Sequence, residues 1–179
     1  MSLSIFKTEL FDRYEEGSEL SGVIYIHRIS DNRFTETAGR NFRIFCELCG
    51  ESALKNVVLV TNMWGNVSHE IGEVRENELS RQFFKPALDK GAKIVRHHNT
   101  VESAQDIVRR IVANNPVVLR IQWELADEQK DITETAAGEA VIQELDEQTK
   151  RCLAGLREVQ EGIERPLRRA TMLKARPPR

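Results

Sequence analysis

The sequence is notable first for what it lacks. It has no uninterrupted apolar run of about 18 residues, which excludes a sequence-evident membrane-spanning helix. The opening residues Met1-Ser-Leu-Ser-Ile-Phe6 are followed at once by Lys7 and Glu9, so no apolar signal core forms, which argues against secretion. Only three cysteines are present, an odd number that gives no disulfide framework and suits a reducing compartment. These features together point to a cytoplasmic protein. Charge of one sign is missing as well. The net charge is −2, too small to recruit nucleic acid or a membrane surface through a general field. None of the ten glycines opens a G-x-x-x-x-G-K-[ST] loop, and no Asp-x-x-Gly occurs. A triphosphate site needs glycines that expose backbone N–H groups, a lysine and a magnesium-binding hydroxyl, so phosphate and magnesium chemistry has no visible machinery.

What is present reads as one α/β domain with an appendage, in 179 residues. Residues 5–16 place Phe6, Leu10, Phe11 and Tyr14 at helical spacing, with Gly17 as a stop. Gly22-Val-Ile-Tyr-Ile-His-Arg-Ile29 and Asn56-Val-Val-Leu-Val-Thr-Asn62 are short, nearly continuous apolar runs, expected as parallel strands buried on both faces. Ala92-Lys-Ile-Val-Arg-His97 is a third, weaker strand. Between them lie helices, one from about Ala38 to Gly50 and one from Ser68 to the neighbourhood of Pro86. A further helix is expected behind Thr100 as N-cap. The alternation argues a parallel sheet with helices on both faces.

After Pro116 the composition changes to dense Glu, Gln, Lys and Arg. Ile142, Leu145, Thr149, Cys152, Leu156, Val159 and Ile163 step 3-4-3-4-3-4, a heptad seam. Ile121, Leu125 and Ile132 follow a different frame, so the seam breaks near Gly138. The expected organisation is an α/β domain over 1–115, a long charged helix with coiled-coil character over 116–170, and a disordered basic tail over 171–179. Self-association or a helical protein partner would use Ile142, Leu145, Leu156, Val159 and Ile163. Arg165 to Arg179 holds six basic residues and no acid.

Two local motifs weigh against the chemistry they suggest. Cys46-Glu-Leu-Cys49 is a C-x-x-C, but it falls late in its helix, where the dipole disfavours thiolate. His97-His98 could complete a zinc set, yet core cysteines are the simpler reading. His69-Glu-Ile-Gly-Glu73 has Glu73 where a metalloprotease helix needs its second histidine, and it reads as an acidic first turn.

The segments Leu20-Ser-Gly-Val-Ile-Tyr-Ile-His-Arg-Ile-Ser-Asp31, Arg40-Asn-Phe-Arg-Ile-Phe-Cys-Glu-Leu-Cys-Gly50 and Lys55-Asn-Val-Val-Leu-Val-Thr-Asn-Met-Trp64 resemble a group of fungal P-loop GTPase-domain proteins. These are similar in layout to the septin and immunity-associated GTPases. The resemblance covers roughly residues 3 to 115. It implies a truncated three-layer, P-loop NTPase-like α/β fold whose phosphate loop and switches would lie upstream of Met1. Missing strands would leave exposed strand edges and apolar patches. Thr61-Asn-Met-Trp64 falls where such proteins carry the base-recognition Asn/Thr-Lys-x-Asp, with Trp64 replacing the acid. His97 and His98 fall at the last base-contacting loop. The resemblance therefore implies a GTPase-like nucleotide-binding fragment, a GTP hydrolase by kinship but unable to bind or hydrolyse GTP alone. GTP or GDP and magnesium are implied only for a complete domain. The alternative is a non-catalytic interaction module acting through the C-terminal coiled-coil helix.

Overall fold

The computed structural model describes Tyr14, residues 19–31 and residues 35–174, the stretch 164–174 by its backbone alone. The helix expected over 5–16 lies outside the described residues apart from Tyr14. The chain divides into two compact units, Met1–Ala140 and Val141–Arg179.

The first unit is built on three parallel strands in the order β1-β2-β3: β1 Val23–Arg28, β2 Val57–Asn62 and β3 Lys93–Arg96. Val23 pairs with Val57 and Arg28 with Asn62, while Val58 pairs with Lys93 and Thr61 with Arg96. Parallel strands need long crossovers, and here helices supply them. Helix α1 (Glu36–Cys49) starts at Thr35, whose hydroxyl accepts from the Ala38 amide at 3.1 Å. It ends at Gly50 with φ 75°, a left-handed stop that suits glycine. Helix α2 (His69–Glu78) is capped by Ser68, then runs through a π-type turn (Leu79–Phe83) into the short α3 (Lys85–Asp89), with Pro86 near its start. Helix α4 (Val101–Val112) carries a reciprocal Thr100–Ser103 cap, as expected from Thr100.

The strands bury side chains on two sides, because successive residues point to opposite faces. On one face Val57 and Leu59 meet Phe42, Cys49, Phe84 and Ala87. Tyr25 sits among Phe42, Phe45 and Phe84, with ring centroids 5.0–6.0 Å away. On the other, Val58 and Val60 pack on Ile107 of α4. Gly22 lets the chain entering β1 pass close to the start of β2, since a Cβ there would lie 2.4 Å from the Asn56 carbonyl oxygen. Three layers follow, in a mixed α/β fold.

Three expectations need correction. β1 is not buried on both faces: Ile24 and Ile26, the neighbours of Val58 and Val60, are exposed, Ile26 at 60%. Among the described residues β1 is an edge strand, and helix α4 lies over β2 rather than over it. The long helix does not start at 116. Residues 117–135 fold into the first unit instead: Val117 bridges Leu20, α5 (Arg120–Ala126) buries Ile121 and Leu125, and a short turn follows at Ile132–Glu134. The out-of-frame Ile121, Leu125 and Ile132 all pack on this core. Helix α6 then runs from Ala136 to Lys174, so 171–174, expected in a disordered tail, is helical; residues 175–179 lie outside the described residues.

The start of α6 is fixed by a buried carboxylate. Glu124 is 2% exposed and accepts from the Ala136 amide at 3.1 Å and from Arg120 Nε at 3.1 Å. An anion at a helix N-terminus is stabilised by the unpaired amides and the dipole. Thr135 adds a second cap, its hydroxyl oxygen accepting from the Gly138 amide at 3.1 Å. Gly138 is where the seam breaks because it lies against the preceding turn, where a Cβ would come 2.0 Å from the Ile132 carbonyl oxygen.

Candidate functional site

Because all three strands run the same way, their C-terminal ends share one edge of the sheet. Open parallel sheets place ligands at this edge. Here it gathers Arg28 to Asp31, Thr61 to Trp64 and Arg96 to His98.

Thr61 is fully buried at the end of β2. Its hydroxyl donates to Glu76 Oε1 of α2 at 3.1 Å. The Trp64 indole N–H reaches back to the Thr61 carbonyl at 3.1 Å and to its hydroxyl oxygen at 3.2 Å. Arg96 of β3 donates through Nε to Glu76 Oε2 at 2.8 Å, and its second guanidinium nitrogen bonds the same oxygen. That hydrogen bond, more than the nearby charges of Glu76 and Glu73, pushes the arginine pKa up. The guanidinium also sits 4.2 Å from the centre of the Trp64 ring, a cation–π contact. Gly72 of α2 completes the enclosure: a Cβ there would lie 2.7 Å from Trp64 Cζ3. The indole is thus held by Thr61, Arg96 and the bare backbone of α2.

Of the five residues singled out in the sequence, Thr61, Trp64 and His98 come together, with the His98 ring centroid 6.4 Å from that of Trp64. His97 turns to α4, its Nδ1 lying 2.9 Å from the Ser103 hydroxyl, and the His98 amide donates to that same hydroxyl at 3.2 Å. Asn62 closes β2, and its side-chain oxygen is buried with no hydrogen-bond partner. An unpaired buried acceptor is costly. Beside it Met63 holds φ 63°, the left-handed region, disfavoured for a residue with a Cβ. The orphan acceptor and the strained residue are adjacent.

Sequence reasoning missed Glu76, Arg96, Gly72 and Ser103. Glu76 and Arg96 carry no local motif, since their pairing depends on the parallel placement of β3 beside β2. Gly72 had a legible signal, a helix-interior glycine, which usually marks close packing.

The C-x-x-C pair behaves as core. Cys49 ends α1 fully buried and Cys46 is half-buried. Burial pushes the Cys46 thiol up to about 11, with the Glu47 charge adding to it. Burial and then the neighbouring Cys46 push Cys49 to about 12. Such thiols are poor nucleophiles and poor ligands. Among the described residues no group of three or more His, Cys, Asp or Glu is placed to hold a metal ion. Likewise no described helix is long and apolar enough to cross a membrane.

The second unit offers a different surface. Along α6, Ile142, Leu145, Leu156, Val159 and Ile163 are all exposed, Leu156 and Val159 at 62% each. Compared with family models, curated proteins and solved structures, the chain matches none of them.

Proposed function

We propose that this chain is a non-catalytic protein–protein interaction module that works through the apolar seam of α6, with the α/β unit as its folded base. The observation that carries this reading is the exposure of five large aliphatic side chains on one helix, all on a frame of alternating three- and four-residue steps that Thr149 and Cys152 complete. Burying each such side chain is worth about 1.5–3 kcal/mol relative to leaving it in water, and a seam of this spacing is buried by another helix. The partner is either a second copy or a helix of another protein. The test is light scattering on the intact chain and on the Leu156→Asp, Val159→Asp double variant. The seam reading expects a mass above 20.5 kDa for the wild type and the single-chain mass for the variant. An unchanged oligomeric state defeats self-association through the seam.

A second reading, a GTPase-like fragment of P-loop NTPase-like fold, has one observation in its favour: the buried, unpartnered Asn62 oxygen beside strained Met63 at the end of β2. The residues around it do not fit a whole guanine nucleotide. Trp64 offers no acceptor to a guanine amine, its N–H is committed to Thr61, and Arg96 lies over its ring. Neither Thr61 nor His97 offers an uncommitted side chain, and the sequence provides no lysine and hydroxyl in a phosphate loop. A fluorescent GDP and GTP titration with magnesium tests it. No binding up to about 1 mM, some 4 kcal/mol, removes this reading. Micromolar binding lost in Asn62→Ala establishes it.

A further inference from the structure

Resting on the seam reading above, we propose that the occupant of the α6 seam is a second copy of the same helix, laid antiparallel. Two features of residues 141–174 carry this.

The first is charge. Within 141–149 the charged residues outside the core are Asp146 and Glu147, both acidic, while Glu144 is buried. Within 165–174 the charged residues are Arg165, Arg168, Arg169 and Lys174, all basic. A parallel pair sets each end against its own sign. An antiparallel pair sets the acidic beginning of one helix beside the basic end of the other and also opposes the two helix dipoles.

The second is the seam itself. By sequence the 3-4 frame continues past Ile163 through Pro166, Ala170 and Leu173. An antiparallel pair with Leu156 of one copy against Val159 of the other aligns Ile142 with Leu173, Leu145 with Ala170, Thr149 with Pro166 and Cys152 with Ile163. Exposed Cys152 then faces an aliphatic residue. Thr149 brings no orphan hydroxyl, since its Oγ1 donates to the Leu145 carbonyl at 2.8 Å. Parallel pairing would instead stack Thr149 on Thr149 and Cys152 on Cys152 in neighbouring layers, both poor. Gly155 and Gly162, where a Cβ would meet nothing, flank the central Leu156–Val159 layers and let the backbones approach.

Disulfide trapping on the intact chain decides the orientation. In the antiparallel register the two Cys152 positions are offset by 11 residues along the axis, about 16 Å at 1.5 Å per residue, too far for a disulfide. Mild diamide oxidation followed by non-reducing electrophoresis should leave the wild type as a single chain. The Ile163→Cys variant should become a covalent dimer, and the Cys152→Ser, Ile163→Cys variant should not. Raising ionic strength from about 0.1 to about 1 M should weaken the non-covalent dimer severalfold. A wild-type dimer crosslinked through Cys152 shows parallel pairing and overturns the proposal while leaving the seam reading intact. Failure of Ile163→Cys to crosslink in a protein that scatters as a dimer overturns the register. A mass that Leu156→Asp, Val159→Asp does not change removes self-pairing through the seam and overturns the proposal.

Discussion

Replacing Gly72 with alanine should destabilise the first unit, against the usual trend for a glycine inside a helix. Helix propensity alone favours alanine by about 1 kcal/mol. At this site the new methyl would sit 2.7 Å from Trp64 Cζ3 and 3.0 Å from its Cε3. The ring cannot swing aside without losing its hydrogen bonds to Thr61 and its contact with Arg96. Overpacking a tight contact costs about 1–3 kcal/mol, so after the propensity gain the net loss is up to about 2 kcal/mol. The decisive measurement is a double-mutant cycle by urea unfolding, followed by circular dichroism. In a Trp64→Leu background the clash disappears and Gly72→Ala should become stabilising by up to about 1 kcal/mol. A change of sign between the two backgrounds isolates the contact from general helix effects. If Gly72→Ala stabilises the wild type, or if the two substitutions add within about 0.5 kcal/mol, then Trp64 is not pinned as described.

Four further outcomes are expected. Glu124→Ala should cost about 2–3 kcal/mol by leaving the Ala136 amide and Arg120 without their buried acceptor, and Glu124→Gln less; an unchanged thermal midpoint would refute that role. Iodoacetamide at pH 8 should add one group, at Cys152, to the folded Leu156→Asp, Val159→Asp chain, whose seam is open, and three only after unfolding, as mass spectrometry would read. Because Cys46 and Cys49 hold their protons to about 11 and about 12 against an ordinary 9.0, the unfolded chain loses these protons first, and stability should decline as pH rises above about 9. His27 has the opposite sign: burial, assisted by Arg28, lowers its pKa from 6.5 despite Asp31. The stability it contributes is present above that value and drains away as pH falls below it, a slope that His27→Phe should flatten in chemical unfolding measured from pH 7 to 5.

Much of the α/β unit was legible in the sequence because its signals are local. Thr35, Thr100 and Ser68 cap helices with their own hydroxyls, Gly50 ends α1, and the Val57–Asn62 run reads as a strand covered on both faces. The reading failed where tertiary context decides. Val23–Arg28 has nearly the same apolar character as β2, yet whether a helix covers its second face depends on where the crossovers lie. The 117–135 segment has a helical composition, and only its burial against α1 and the start of α6 separates it from the long helix. At the candidate edge, Thr61 and Trp64 stood out through their place at a strand end. Their real partners, Glu76 and Arg96, stand 15 and 35 residues after Thr61, a distance no spacing rule spans.

The parallel pairing of β1, β2 and β3 has a consequence for how the chain is made. Every strand-to-strand hydrogen bond joins residues about 30 or more positions apart, so no pair of strands can close as a hairpin while the chain emerges from the ribosome. Val23–Arg28 leaves the exit tunnel ahead of its ladder partner, and α1, capped at Thr35, is the first later element able to shelter Tyr25 through Phe42 and Phe45. Early protection then falls to a helix docking on a lone strand, and Ile24 and Ile26, on the face that helix leaves bare, stay open to a nascent-chain chaperone.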